Sequence, residues 1–211
     1  MRLKVAKQPL RRIVLWTERL LFAAGLALLA WCAYVVLDAR IFQQAEDSRL
    51  DGLLRVSQET SPETPQNPSL TARPARLPLA PAAGLIGRLD ISRLDISVIV
   101  IEGVRAATLR RAVGHIPGTA LPGQQGNVGI SGHRDTFFRP LRNIRQGDLV
   151  ALTTLTGEYR YRVVSTKVVR PEDVAVLDPG SDESLTLVTC YPFYYVGPAP
   201  SRFIVRAARA E

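Results

Sequence analysis

Eighteen consecutive residues without a charge, Leu20–Leu37 (LLFAAGLALLAWCAYVVL), constrain this chain more than any other feature. A run of that length and apolarity suits the hydrocarbon core of a bilayer, with Ile13 to Trp16 lending a further turn. Arg2, Lys4, Lys7, Arg11, Arg12 and Arg19 precede or flank it against Glu18 alone, and Asp38 follows it. That asymmetry keeps residues 1–12 in the cytoplasm as a basic tail and sends everything after Asp38 outside. Trp16, Trp31 and Tyr34 lie near the ends, where amphipathic rings prefer to sit. A cleaved secretory signal is the rival reading. The apolar stretch is long for one, and no clear small-x-small cleavage site follows Leu37. A buried core helix fits poorly with the basic flank and with the segments that come next. The expectation is an uncleaved, single-pass anchor over residues 13–37 in the inner or plasma membrane.

Residues 38–57 (DARIFQQAEDSRLDGLLRVS) read as an amphipathic juxtamembrane helix with Ile41, Ala45, Leu53 and Leu54 roughly on one face. Residues 58–84 hold six prolines and no period, the signature of a semi-rigid linker. Fully extended, it reaches roughly 80 Å. From Leu85 to the end the pattern is strand-like. The expected strands are 85–91, 94–101, 127–132, 148–155, 158–170, 185–190 and 202–208, with a short helix at 106–112 and one helical turn in 137–144 around Pro140. The run GHIPGTALPGQQG reads as a loop. Seven or so short strands with little helix imply an all-β, closed or nearly closed barrel over 85–211.

The formal net charge of +8 does not imply nucleic-acid binding. Residues 1–19 carry +5 of charge with a topological explanation. Residues 85–211 carry 16 basic and 12 acidic side chains with no Lys/Arg cluster, and lack the aromatic-and-basic interleaving of a nucleic-acid surface.

Two cysteines are present, Cys32 and Cys190. Cys32 lies inside the expected membrane span, so the pair cannot form one disulfide. An exported domain with one unpaired thiol points to reactivity. A free cysteine is most often a small buried hydrophobe, but Cys190 ends an apolar strand and precedes Tyr191-Pro192, where the strand opens into a loop. The reactive species of such a thiol is the thiolate, which needs a basic or cationic partner. Both histidines qualify: His133 in SGHRDTFF and His115 in GHIPG. Spacing does not decide between them. One thiol and two separated imidazoles fall short of a metal-ligand set, and no cofactor is implied. A third group follows from strand pairing. If 185–190 and 202–208 pair antiparallel across an eleven-residue loop, Arg202 comes to the same barrel edge as Cys190. A guanidinium there stabilises negative charge and binds a peptide carbonyl. The bland alternative is a solvated edge arginine.

The run Thr186-Leu187-Val188-Thr189-Cys190, followed by Tyr191-Pro192-Phe193, resembles the active-site strand of sortases. Gly132-His133-Arg134-Asp135-Thr136 resembles their histidine motif, and Arg202-Phe203-Ile204-Val205 the strand bearing their arginine. The order His, Cys, Arg matches too. The resemblance covers roughly residues 85–208, and GHRDTFF with TLVTCYPF looks most like class D. It implies the eight-stranded sortase barrel and selects His133 over His115. The implied chemistry is acyl transfer. Cys190 attacks the Thr carbonyl of an LPxTG-like signal near the C-terminus of an exported protein, and Arg202 positions the substrate and stabilises the oxyanion. His133 protonates the leaving amine, and an acceptor amine (a cell-wall precursor or a pilin lysine) resolves the thioester. Asp135 either caps the following segment or orients His133. Two other functions fit the same residues: a hydrolytic cysteine peptidase, and a non-catalytic tethered β-domain.

Overall fold

The computed structural model describes residues 7–59 and 84–210. The Pro-rich linker expected over 58–84 lies almost wholly outside the described residues, as does the first half of the basic tail. The chain divides after Ile41 into two compact units. Helix α1 (Lys7–Glu59) is continuous through the expected anchor and the expected juxtamembrane segment. In the first unit every residue from 11 to 37 is exposed, Leu21 to 73%. Apolar side chains exposed on all sides suit a lipid-facing helix. Among the described residues α1 is the one helix long and apolar enough to cross a membrane.

The second unit is a closed barrel of eight strands in the order β1-β2-β3-β4-β7-β8-β6-β5. β1 (Leu85–Ile91) and β2 (Ile96–Glu102) pair antiparallel around a 3₁₀ turn at Ser92–Leu94. Asp95 closes that turn with φ 51°, a left-handed conformation that the short polar side chain tolerates. The sequence expectation began this strand at residue 94; the turn takes its first residues. α2 (Ala106–Arg111) matches the expected short helix. β3 (Val113–His115) lies where a loop was expected. Three residues are too few for a periodicity signal, and pairing on both sides creates the strand: β2 beside it runs parallel and β4 (Asn127–Ser131) antiparallel. β5 (Leu149–Thr154), β6 (Gly157–Val169), β7 (Ser184–Tyr191) and β8 (Ser201–Arg209) complete the barrel close to the expected positions. The turn expected around Pro140 is a 3₁₀ helix at Arg139–Asn143 with proline in its first turn.

Alternation along the strands fills the interior. Val128, Ile130, Leu152, Leu185, Leu187, Val205 and Ala207 belong to one buried cluster, and burying each large aliphatic side chain contributes about 1.5–3 kcal/mol. The last turns of α1 also belong to this unit. Leu50 is fully buried against Leu85 and Ile99, and Arg88 bridges Asp47 at 2.7 Å and Asp51 at 3.3 Å. The packed face therefore carries Gln43, Asp47, Leu50 and Leu54; of the face expected from hydropathy, Leu54 packs and Leu53 is half-buried, while Ile41 and Ala45 are exposed. Side-chain hydrogen bonds from Gln43 and Asp47 select the face, and an apolar count does not see them.

Candidate active site

Three adjacent strands end at one edge of the barrel. β4 and β7 run parallel in the register Ile130↔Leu187 and Ser131↔Val188. The Gly132 N–H continues that ladder to the Val188 carbonyl at 3.1 Å. Two residues beyond the last registered pair lie His133, just past the end of β4, and Cys190, on β7. β8 runs antiparallel to β7, with Cys190↔Arg202 directly opposite each other. Opposed residues in an antiparallel pair project to the same face. Leu187 and Val205 point into the core, so the period of two puts Cys190 and Arg202 on the outer face of the edge. The structure thus brings Cys190 on β7 and Arg202 on β8 beside the end of β4, which His133 follows by two residues.

Local interactions fix this arrangement. Gly132 has no space for a side chain: a Cβ there would stand 2.7 Å from the Phe138 ring and 2.9 Å from Val113. The buried Thr189 hydroxyl donates to the Gly132 carbonyl at 2.7 Å. The residue before the cysteine therefore holds the peptide before the histidine. The Phe138 N–H donates to the His133 carbonyl and closes the turn that follows. Arg202 Nη1 donates to the carbonyls of Ser201 at 3.0 Å and Ala199 at 3.3 Å. Its Nε and Nη2 make no hydrogen bond among the described residues. The Cys190 thiol is partly exposed, and so is His133. Tyr191, Phe193 and Phe203 pack ring to ring at the root of the β7–β8 loop, with centroids 5.4 to 6.3 Å apart.

Two sequence expectations for this region need revision. Asp135 does not cap the 3₁₀ helix that follows: Phe138 occupies the N-cap, with no side-chain cap hydrogen bond. Nor does it bond the His133 ring among the described residues. Its carboxylate pairs with the neighbouring Arg134 Nε at 3.3 Å, the partner a charge-assisted contact favours. Sequence reasoning also passed over Arg134 and Thr189. A hydroxyl amid the apolar run LTLVTC was the available signal for Thr189.

His115 lies away from this edge. It is 2% exposed on β3, with Nδ1 2.7 Å from Glu102 Oε2 and Nε2 3.0 Å from the Ala120 carbonyl and 3.1 Å from the Thr119 hydroxyl.

A family model for the sortase domain matches residues 89–210. The chain belongs to the sortase family. Sortase D of Bacillus subtilis (strain 168) is 38% identical over 124 residues, 58% of this chain and 63% of the relative. Sortase A of Listeria monocytogenes is 30% identical over 110 residues, 50% of this chain and 49% of the relative. This sortase therefore spans roughly half to two thirds of the length of those two curated relatives. Among solved structures, a Clostridium perfringens Sortase D5 transpeptidase superposes with a TM-score of 0.55 at 30% identity, covering 60% of this chain and 79% of that one. Sortase C-1 from Actinomyces oris gives 0.58 at 27% identity, covering 63% and 77%. The Sortase D matches agree with the class D resemblance of the motifs, and the eight-stranded barrel is the fold of these neighbours.

Proposed function

We propose that this sortase is a membrane-anchored cysteine transpeptidase acting on exported proteins that carry an LPxTG-like C-terminal signal. The observation that carries the reading is the Cys190↔Arg202 pair on β7 and β8, with His133 at the end of the neighbouring β4. Cys190 Sγ attacks the Thr carbonyl of the signal. The oxyanion that forms faces the unoccupied nitrogens of Arg202, whose held guanidinium needs no reorganisation as charge develops. Collapse breaks the peptide bond, His133 protonates the departing amine, and Cys190 is left as a thioester. An acceptor amine from the cell envelope or a pilin then attacks the thioester, with His133 taking its proton. The N-terminus is cytoplasmic and the barrel extracytoplasmic, on the strength of the basic flank and Asp38. Residues 13–37 serve as the anchor, 58–84 as the spacer and 85–211 as the catalytic domain.

The test is incubation of the full chain in detergent with LPxTG-type pentapeptides and assorted amines, read by mass spectrometry. A Cys190-linked acyl adduct and an amine-dependent transfer product are expected, and Cys190→Ala should give neither. Hydrolysis product alone at saturating amine would assign a peptidase instead. Labelling of Cys190 by a thiol probe no faster than in the denatured chain, without an adduct, would assign a binding domain.

A further inference from the structure

The loop over residues 192–200 joins the strand of Cys190 to the strand of Arg202 and has no regular structure of its own. What holds it in place bears on both residues at once. Arg134, immediately after His133, is 6% exposed although its side chain is charged. Its Nη2 donates to the Tyr195 carbonyl at 2.6 Å and to the Gly197 carbonyl at 3.1 Å. A single Nη2 has two hydrogens, so both are engaged by the loop backbone. The guanidinium carbon also stands 5.9 Å from the Tyr195 ring centre, within cation–π range. Nε is held by Asp135. Nη1 is buried and has no acceptor among the described residues.

A buried guanidinium this incompletely paired depends on its remaining partners, since a buried charge without hydrogen bonds is costly. The loop and Arg134 are therefore mutually dependent. The loop cannot lift without uncovering the charge, and the charge is covered because the loop is down. Apart from the packing of Phe193 against the core at the root of the loop, the other side-chain tie from the barrel among the described residues, Arg142 to the Tyr194 hydroxyl at 2.9 Å, is solvent-exposed and correspondingly weak. At its far end the loop supplies the Ala199 carbonyl that Arg202 grips.

Resting on the proposed transpeptidase reading, we infer that Arg134 is a positioning residue: by clamping the Tyr195 and Gly197 carbonyls from the histidine segment, it fixes the β7–β8 loop and with it the placement of Arg202 beside Cys190.

The test uses the full chain in detergent and the variants Arg134→Gln, Arg134→Ala and Arg134→Lys, each checked by circular dichroism. Amide exchange read by mass spectrometry should be at least about tenfold faster over 193–200 in the Gln and Ala variants, as expected for a loop that has lost its tether. Acylation kcat per folded molecule should fall about 10–10²-fold, the scale of a small misplacement at a reacting centre, with KM changing less than threefold. Arg134→Lys should recover part of both, since an ammonium keeps the charge and some donors but loses the planar fork. Loop exchange at the wild-type rate in both the Gln and Lys variants would overturn the inference. So would faster exchange with kcat per folded molecule unchanged. If the wild-type chain acylates with no signal peptide, the transpeptidase reading fails separately. Peptide-mapped alkylation of Cys190 then replaces kcat: an altered rate in Arg134→Gln sustains the positioning role, and an unchanged rate removes it.

Discussion

The chain's two histidines occupy opposite physical situations within one barrel. His115 is sealed on β3, with both ring nitrogens engaged by Glu102, the Ala120 carbonyl and the Thr119 hydroxyl. His133 stands at the open edge after β4, and its ring makes no hydrogen bond among the described residues. Its backbone, by contrast, is fixed on both sides, through Thr189 to the Gly132 carbonyl and through the Phe138 N–H. A proton-transfer group needs an unoccupied nitrogen and a fixed position. A structural histidine needs satisfied nitrogens. Each site provides one of these conditions, and residue type alone does not separate them.

The largest effect that bears on this contrast comes from exchanging the two fates. His133→Ala should lower single-turnover acylation by about 10²–10⁴-fold, the range for loss of a positioned acid–base group, with little change in melting. His115→Ala should leave the rate per folded molecule near wild type but destabilise the fold by about 2–4 kcal/mol, through an emptied site and unpaired neighbours. Chemical denaturation with parallel acylation assays reads both. A dead but stable His115→Ala would reverse the assignment.

Arg202 sharpens the contrast from the other side of Cys190. Arg202→Ala should reduce acylation by about 10²–10³-fold, as expected for loss of one oxyanion donor, and Arg202→Lys should recover part of it. Arg206 lies on the same face of β8 but pairs with Thr186, four residues back along β7 from Cys190. Arg206→Ala should therefore be nearly silent kinetically. Arg209 is a poorer control: it pairs with Glu183 and lies over Tyr159 and Tyr161, so its loss should show in stability instead.

The smallest effect concerns acid. Two nitrogens of Arg93, with help from the Arg145 N–H, hold the buried Asp148 carboxyl below the usual aspartate range. A carboxyl lowered on folding contributes stability that is complete above the unfolded value of about 4 and is lost as pH falls through the folded value. Asp148→Asn should flatten the stability profile below pH 4 and leave acylation near neutrality unaffected. Urea midpoints between pH 2 and 7 measure it. An unchanged acid limb would place that dependence elsewhere.

The legibility of the molecule follows the range of the interactions involved. Long β-branched runs and a register fixed by two strands and a loop are readable in the sequence, which is why it places Arg202 and Cys190 at one edge. β3 is not, because three residues in a Gly/Pro stretch become a strand only when neighbours pair with them on both sides. Neither role expected for Asp135, capping or orienting His133, was met, because its partner, the adjacent Arg134, is buried by a loop some sixty residues away in sequence. The choice between His115 and His133 came from motif resemblance; burial, which distinguishes their surroundings, is not a property of local sequence.

Gln43 carries a practical consequence. Its side-chain oxygen accepts from the Ile99 N–H at 2.8 Å, and its nitrogen donates to the Arg111 carbonyl at 2.6 Å. β3 pairs with β2 only from Val100 to Glu102, so Gln43 satisfies the Ile99 N–H in the part of β2 that β3 does not reach. A shortened chain beginning after residue 59 would present that stretch bare, next to the vacated slot of Leu50. Bare apolar strand edges recruit other edges. Soluble preparations that keep residues 42–59 should remain dispersed at concentrations where shorter ones clump, so the choice of starting residue bears directly on whether the enzyme can be handled in solution.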